Sequence, residues 1–350
     1  MHFAFTDQQL EFRDAVRQVL AKECTTDDVR AAYDAPSARS PRWATLANVG
    51  VVGLAVPDSH GGLGLGFVDL VPLVEEAGKV ALPEPLVESA GLAAPLLADL
   101  ERVAPDDTRI GSWLDALAAG ELTAAVADHR HPGLPIAGAV GADLLLLVAD
   151  GGPDGPELHG LDAATVAVTP VPSLDPTRRL GTPVWTPSPE SVLASGSSAA
   201  SLLAATSNRA AVVVGAELLG LADAMITRTS TYAKDRQQFG KPIGSFQAVK
   251  HLLAGAQVLL EFARPVVYGA AWALDAGSPD ASRAASVAKA YASEAAVEAA
   301  RVALQVHGAI GYTWECDLHL YLKRTWALSE AWGSAGDHRA RLLDALLVDR

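Results

Sequence analysis

The densest run of chemically capable side chains lies between Asp235 and Gln247. It reads Asp235-Arg236-Gln237-Gln238-Phe239-Gly240-Lys241-Pro242-Ile243-Gly244-Ser245-Phe246-Gln247. An arginine offers a planar fork for phosphate oxygens. Glycines let backbone approach a ligand closely, and a phenylalanine offers a face to a ring. The same residues also make an ordinary turn between two helices, with Lys241-Pro242 as the stop signal. On residue types alone both readings stand. A second stretch with close-approach glycines is Gln305-Val306-His307-Gly308-Ala309-Ile310-Gly311-Tyr312. His129 and His131 have the spacing of a metal pair, but no third ligand lies nearby at metal spacing, so a solvated loop is expected and no metal. His307 and His319 read as packing or interface residues. Trp314, Trp326 and Trp332 read as core or subunit-interface anchors first, and as an acyl-pocket wall second.

These residues need rigid elements to hold them. Thr6 and Gln9 have capping-box spacing, so a helix is expected to begin at Asp7 and to bury a stripe that includes Leu10, Phe12, Val16, Val19 and Leu20. A glycine-rich break at Gly61–Gly66 precedes a further helix from Phe67 to Lys79. Mostly helical texture extends to about Gly120. Between about Leu122 and Pro189, Pro, Gly and Asp separate short apolar runs such as Ala142–Val148 and Ala164–Val168, which points to a small β-domain. Alanine-rich helices follow: Ser207 to about Lys234, Phe246 to about Ala276, and one with Ser278 as cap and Pro279 at its first position, ending at Gly308. Long helices joined by short loops read as an antiparallel bundle. The expected organisation is residues 1–120 helical, 121–197 a shortened middle β-domain, and 198–350 a helical bundle.

Composition narrows the function class. The chain has 350 residues, half of them hydrophobic and 19% charged, which excludes a disordered or collagen-like protein. A net charge of −14 leaves no excess of cations to displace counterions, so a nucleic-acid partner is not expected. Cys24 and Cys316, nearly the whole chain apart, form no disulfide framework; both read as small buried apolar residues in a reducing compartment. Met1 to Asp7 shows neither the basic nor the apolar region of a secretory signal. The longest uninterrupted apolar run, Leu144–Ala149, is far short of a membrane span. A cytoplasmic protein without membrane insertion is expected.

Arg-x-x-Phe-Gly-Lys-Pro-Ile-x-x-Phe-Gln, from Arg236 to Gln247, resembles a loop of the acyl-CoA dehydrogenase family. Gln305 to Tyr312 is similar to that family's Gln-x-x-Gly-Gly-x-Gly motif. Val52-Gly53-Leu54-Ala55-Val56-Pro57 with Gly61–Gly64, Glu75-Glu76 and Pro83-Glu84-Pro85 resembles its N-terminal helical domain. Leu174-Asp175-Pro176-Thr177-Arg178-Arg179 resembles the end of its middle domain. The resemblance runs the whole chain in order. It implies an α+β fold: an N-terminal helical domain, a small middle β-domain and a C-terminal four-helix bundle. It implies an FAD-dependent enzyme that desaturates an acyl-CoA thioester at Cα–Cβ. A carboxylate takes the α-proton, and an electron-transfer flavoprotein accepts the electrons. Carried over, Arg236 would contact the FAD pyrophosphate. Gln238, Phe239 and Gln247 would line the adenosine or flavin edge, while Gln305, Gly308 and Gly311 would let a neighbouring protomer's FAD lie close to backbone.

The departures from the family pattern are asymmetric. No Thr-Glu-x-x-Gly-Ser-Asp type segment holds a flavin ring; the matching region is Ala124 to Gly133. The usual catalytic glutamate position aligns with Trp332, and the alternative slot, one residue before Arg209, holds Asn208. Glu330 is the nearest weak candidate, with Asp337 beyond it. Arg324 replaces a usual acid and Ala309 the second glycine of the motif. The pattern is similar to the smaller subunit of heteromeric actinobacterial acyl-CoA dehydrogenases, several of which act on steroid CoA thioesters. The leading expectation is such a subunit, in a dimer or tetramer with a second acyl-CoA dehydrogenase subunit. The alternatives are a self-sufficient homomeric enzyme using Glu330, and a redox-inactive acyl-CoA-binding homologue.

Overall fold

The computed structural model describes residues 4–35, 40–131 and 133–348; the Met1–Phe3 part of the N-terminal reading and Pro132 lie outside them. Helices α1 (Asp7–Glu23), α2 (Thr26–Asp34), α3 (Pro41–Asn48), α4 (Phe67–Lys79), α5 (Ala94–Val103) and α6 (Thr108–Ala118) come first, with a π-helical turn at Val87–Ala93. Strands β1 (Ala124–Val126), β2 (Leu144–Asp150), β3 (Pro156–Asp162), β4 (Ala167–Pro170), β5 (Gly181–Val184) and β6 (Val192–Ser195) follow. Then come α7 (Gly196–Asp235), the two-residue strands β7 (Gln237–Gln238) and β8 (Lys241–Pro242), α8 (Gln247–Asp275), α9 (Ala281–His307), α10 (Leu318–Glu330) and α11 (Ala335–Val348). The chain divides into two compact units, one of residues 1–30, 71–82 and 211–350, the other of residues 31–70 and 83–210.

In the first unit the expected capping box is present. The Thr6 side chain accepts from the Gln9 amide while the Gln9 side chain accepts from the Thr6 amide. Val16 and Leu20 carry the buried stripe of α1; Leu10, Phe12 and Val19 are only half-buried. Arg17 grips Glu76 with two bonds of 3.0 and 2.8 Å. α4 and α7 cross at bare backbone: a Cβ on Gly78 would lie 2.2 Å from the Glu217 carbonyl oxygen, and one on Gly220 2.0 Å from that of Glu75. α9 buries alanine after alanine, which lets neighbouring helices approach closely, and Gly215 of α7 faces Val267 of α8 and Ala292 of α9. The bundle core also holds charge. Arg324, where the family carries an acid, donates to the Leu82 carbonyl at 2.5 Å and pairs with buried Glu217 at 2.9 Å. Lys289 is fully buried, and its ammonium donates to Ser293 Oγ at 3.1 Å and to the Ser329 and Gly333 carbonyls at 2.9 Å each.

In the second unit Trp43 is buried with its indole N–H on the Gly120 carbonyl, and Arg42 pairs with buried Glu84 at 2.8 Å. The main sheet has the order β1-β2-β3-β6; β1 and β2 are parallel and the other pairs antiparallel. Alanine and leucine form these strands because β2 is buried, which overrides weak strand propensity. β4 and β5 make a separate antiparallel pair.

Two helix starts differ from expectation. α7 begins at Gly196 rather than Ser207, because Gly196 turns the chain at φ 59° directly out of β6, so no linker is needed. α9 begins at Ala281; Ser278 Oγ instead accepts from the Asp280 amide within the preceding turn. α7 is long and apolar enough to cross a membrane, but most of its apolar stretch is buried inside the protein.

Candidate functional site

α7 and α8 are joined by a hairpin in which Gln237 pairs with Pro242 and Gln238 with Lys241. Its two turn residues, Phe239 and Gly240, have φ values of 52° and 77°. Two successive left-handed residues match the twist of a tight hairpin, but a phenylalanine there is strained. The conformation is held from behind: the Arg236 amide donates to the Tyr232 carbonyl, and the Ile243 amide donates to the Arg236 carbonyl at 2.8 Å. Gly244 fits against α7 because a Cβ would lie 2.9 Å from the Ala233 carbonyl oxygen.

The hairpin's polar and aromatic side chains are exposed. Arg236, Gln238 and Gln247 are exposed, and Phe239 is 92% exposed, edge-on to Phe246. Lys241 sits over the Phe246 ring at 4.4 Å. α8 starts without a side-chain cap, so no capping side chain satisfies its first amides, an arrangement suited to anions.

The second motif lies at the end of α9. Gln305 is exposed on the last turn, and Gly308 has φ 63° and ψ −142°, a conformation left to glycine, with no atom within 4 Å of where a Cβ would be. Gly311 is buried; a Cβ there would lie 3.1 Å from His307 Cβ and Leu304 Cδ1. The two motifs meet through a ring pair, Tyr232 stacked on His307 with centroids 4.3 Å apart. His307 is buried, and burial holds its pKa below the usual histidine range although its Nδ1 donates to the Ala303 carbonyl.

The two positions expected from the family pattern to carry the base hold Trp332 and Asn208. Trp332 occupies the turn between α10 and α11 at φ 58°, and its carbonyl accepts from His338 Nε2 at 3.0 Å. Glu330 is exposed at the end of α10. Asp337 caps α11 by accepting from the Ser334 amide and hydroxyl, both at 2.8 Å. Asn208 is half-buried on α7, between Ser207, which lies 3.2 Å from His129 Nδ1, and Arg209, which pairs with Asp99. The two histidines of the loop after β1 therefore diverge: His131 goes to Asp128, which also accepts from Arg130.

Some expectations are corrected. Trp314 is 63% exposed and Trp326 39% exposed, so neither is a core residue. His319 does pack, against Trp314 and with its Nδ1 on the Cys316 carbonyl. Cys24 is buried, whereas Cys316 is half-buried on the wall of a groove. The charges buried at Lys289 and Arg324–Glu217 gave no signal in helical periodicity; only the unexpected arginine at 324 hinted at the latter.

Residues 6–121 match the model of the acyl-CoA dehydrogenase N-terminal domain, and residues 201–347 that of the C-terminal domain. The chain belongs to the acyl-CoA dehydrogenase family. It is 32% identical over 332 residues to the acyl-CoA dehydrogenase IpdE2 of Mycolicibacterium smegmatis, covering 94% of this chain and 96% of IpdE2. FadE34 of Mycobacterium tuberculosis is 34% identical over 95% of this chain, though the match spans 47% of FadE34. A solved structure of a Tcur3481-Tcur3483 steroid ACAD variant superposes with a TM-score of 0.86 at 27% identity, covering 98% of both chains. As a family member the chain is an oxidoreductase with FAD as its cofactor. The exposed donors fit the ADP half of that group: an arginine fork, two amide side chains and uncapped amides, beside glycines at Gly240 and Gly308 where a Cβ would meet open space.

Proposed function

We propose that this chain is the FAD-completing, base-lacking subunit of a heteromeric acyl-CoA dehydrogenase. What carries the reading is the contrast between the two ends of the chemistry. The outward-facing Arg236 hairpin keeps a full phosphate- and ring-binding donor set. The two base slots hold Trp332 and Asn208, and neither indole nor carboxamide takes a proton at neutral pH.

In this reading Arg236 binds the pyrophosphate of a cofactor whose flavin ring is held by the neighbouring subunit. Gln238, Phe239 and Gln247 line its adenosine or flavin edge, and Gln305, Gly308 and Gly311 give it close backbone. The cofactor supplies the hydride acceptor for the β-carbon. The partner subunit supplies the carboxylate for the α-proton. The acyl group is steroid-derived, by the description of the Tcur3481-Tcur3483 relative, and electrons pass to an electron-transfer flavoprotein by family analogy. The middle β-domain spans residues 121–197, and the enzyme works in the cytoplasm.

The test is the visible spectrum of the chain purified alone and co-expressed with an acyl-CoA dehydrogenase encoded beside it. A colourless lone chain and a yellow complex with about one flavin per pair of different subunits are expected. Full flavin occupancy with turnover in the lone chain overturns the reading.

A further inference from the structure

In the second unit, a single helical turn at Asp58–His60 leads into the glycine-rich segment that ends at Gly66. The backbone of that segment bonds back to the chain just before it. The Leu63 amide donates to the Gly53 carbonyl, Gly64 to Val56 and Leu65 to Leu54, at 3.1, 2.9 and 2.9 Å. Among the described residues, the side-chain hydrogen bonds from this segment to the helices beside it come from one ring. His60 Nδ1 lies 2.6 Å from an Asp115 carboxylate oxygen on α6, and Nε2 lies 2.7 Å from one of Glu101 on α5. The ring also rests on the α6 backbone, since a Cβ on Gly111 would lie 3.2 Å from His60 Cε1.

A neutral imidazole has one N–H and one lone pair. With a carboxylate at hydrogen-bond distance on each nitrogen, the neutral ring donates to one and turns its lone pair toward the negative oxygen of the other. Two donors need the imidazolium. The surrounding charges favour that form. Glu101 faces the ring from α5 and Asp115 from α6, while Asp58, on the ring's own turn, is directed at Gly64, where a Cβ would lie 2.8 Å from Asp58 Oδ1. The nearby cations are committed elsewhere: Arg102 to Asp99 at 2.6 Å, and Arg109 to Asp107 and the Glu190 carbonyl.

The two carboxylates are not equivalent. The Asp115 side chain is 65% exposed, that of Glu101 33%, and the ring itself 15%. Water replaces the ring's N–H on Asp115 more cheaply than on Glu101, because burial withholds solvent from the latter. Loss of the proton therefore opens the Asp115 contact and leaves the ring bonded to α5 alone.

We infer that His60 is a proton-operated clip: as an imidazolium it holds the segment 57–66 to both α5 and α6, and as a neutral ring it releases α6. The sign follows from the contacts, which stabilise the protonated ring in the folded state. The clip is fully closed below the ordinary histidine value of about 6.5 and opens as pH rises through the higher folded value. By linkage, each unit between the two values is a tenfold change in closing. The released segment carries Leu63 and Leu65, already 44% and 39% exposed. The clip lies wholly in the second unit and does not rest on the function proposed above.

The experiment is an NMR pH titration of the full-length chain labelled at histidine Cε1, with His60 assigned by the signal lost in His60→Gln. Amide exchange of residues 57–66 is followed beside it from about pH 6 to pH 9. The His60 midpoint is expected above about pH 6.5. Exchange of the segment, corrected for its intrinsic pH dependence, should rise about tenfold for each unit of that elevation as pH passes the midpoint. Asp115→Asn, at an exposed position, should lower the midpoint and flatten the pH dependence of exchange. A midpoint at or below about 6.5 overturns the inference. So does a raised midpoint with exchange of 57–66 unchanged across it, which would leave an ion contact and no clip. An Asp115→Asn profile identical to wild type overturns the assignment of α6 as the released side.

Discussion

The rings of Tyr232 and His307 lie stacked, with centroids 4.3 Å apart and planes inclined by 17°. Tyr232 also receives the Arg236 amide on its carbonyl, and His307 immediately precedes Gly308. One aromatic contact thus fixes the strained hairpin to the glycine motif. His307→Ala should remove about 1 kcal/mol of ring contact and loosen residues 236–247. Faster amide exchange in the hairpin, with lower flavin retention by the complex, checks this; unchanged exchange refutes the coupling.

Arg236→Ala should lower the flavin content of the complex with little change in melting temperature, because the side chain is exposed. Glu330→Gln should leave turnover of the complex unchanged. A large fall in kcat with Glu330→Gln would instead assign the base to this chain.

Gly220→Ala should be among the most damaging single changes. The new methyl would lie 2.0 Å from the Glu75 carbonyl oxygen, which is backbone and cannot move aside cheaply. Overpacking of this kind destabilises by about 1–3 kcal/mol or more. A urea midpoint equal to wild type would show that the α4–α7 crossing tolerates separation.

Glu217→Gln or Glu217→Ala should destabilise by about 3–5 kcal/mol, since it removes the carboxylate paired with the buried Arg324 guanidinium. Replacing both residues by apolar side chains of similar volume should be much milder. A double-mutant cycle in denaturant separates the two, and equal losses would contradict the charge argument.

His60 bridges two carboxylates, Asp115 at 2.6 Å on Nδ1 and Glu101 at 2.7 Å on Nε2. The Asp115 bond first, then the Glu101 bond and both charges, raise its pKa above the usual histidine value against the opposing effect of burial. The folded pKa is the raised one, so the contribution is fully present below about pH 6.5 and fades as pH rises through the folded value. The melting-temperature difference between wild type and His60→Gln should therefore shrink from pH 6 to pH 9. A constant difference would show that the charge on the ring contributes nothing to stability.

Local signals were legible where the physics is local. The capping box at Thr6 and Gln9 and the helix from Phe67 to Lys79 depend on neighbours a few positions away, so both can be read from the sequence. The start of α7 was not legible, because a single left-handed glycine at 196 turns the chain straight out of β6 and the helix begins well before the expected Ser207. Exposure of Trp314 and burial of Lys289 were not legible either, since they depend on what α9, α10 and α11 bring together. Tertiary structure alone decided that Tyr232 meets His307, that Asp337 is spent on capping α11, and that His60 meets both Glu101 and Asp115. Such encounters join residues far apart in the chain, where side-chain type and spacing carry no information about distance.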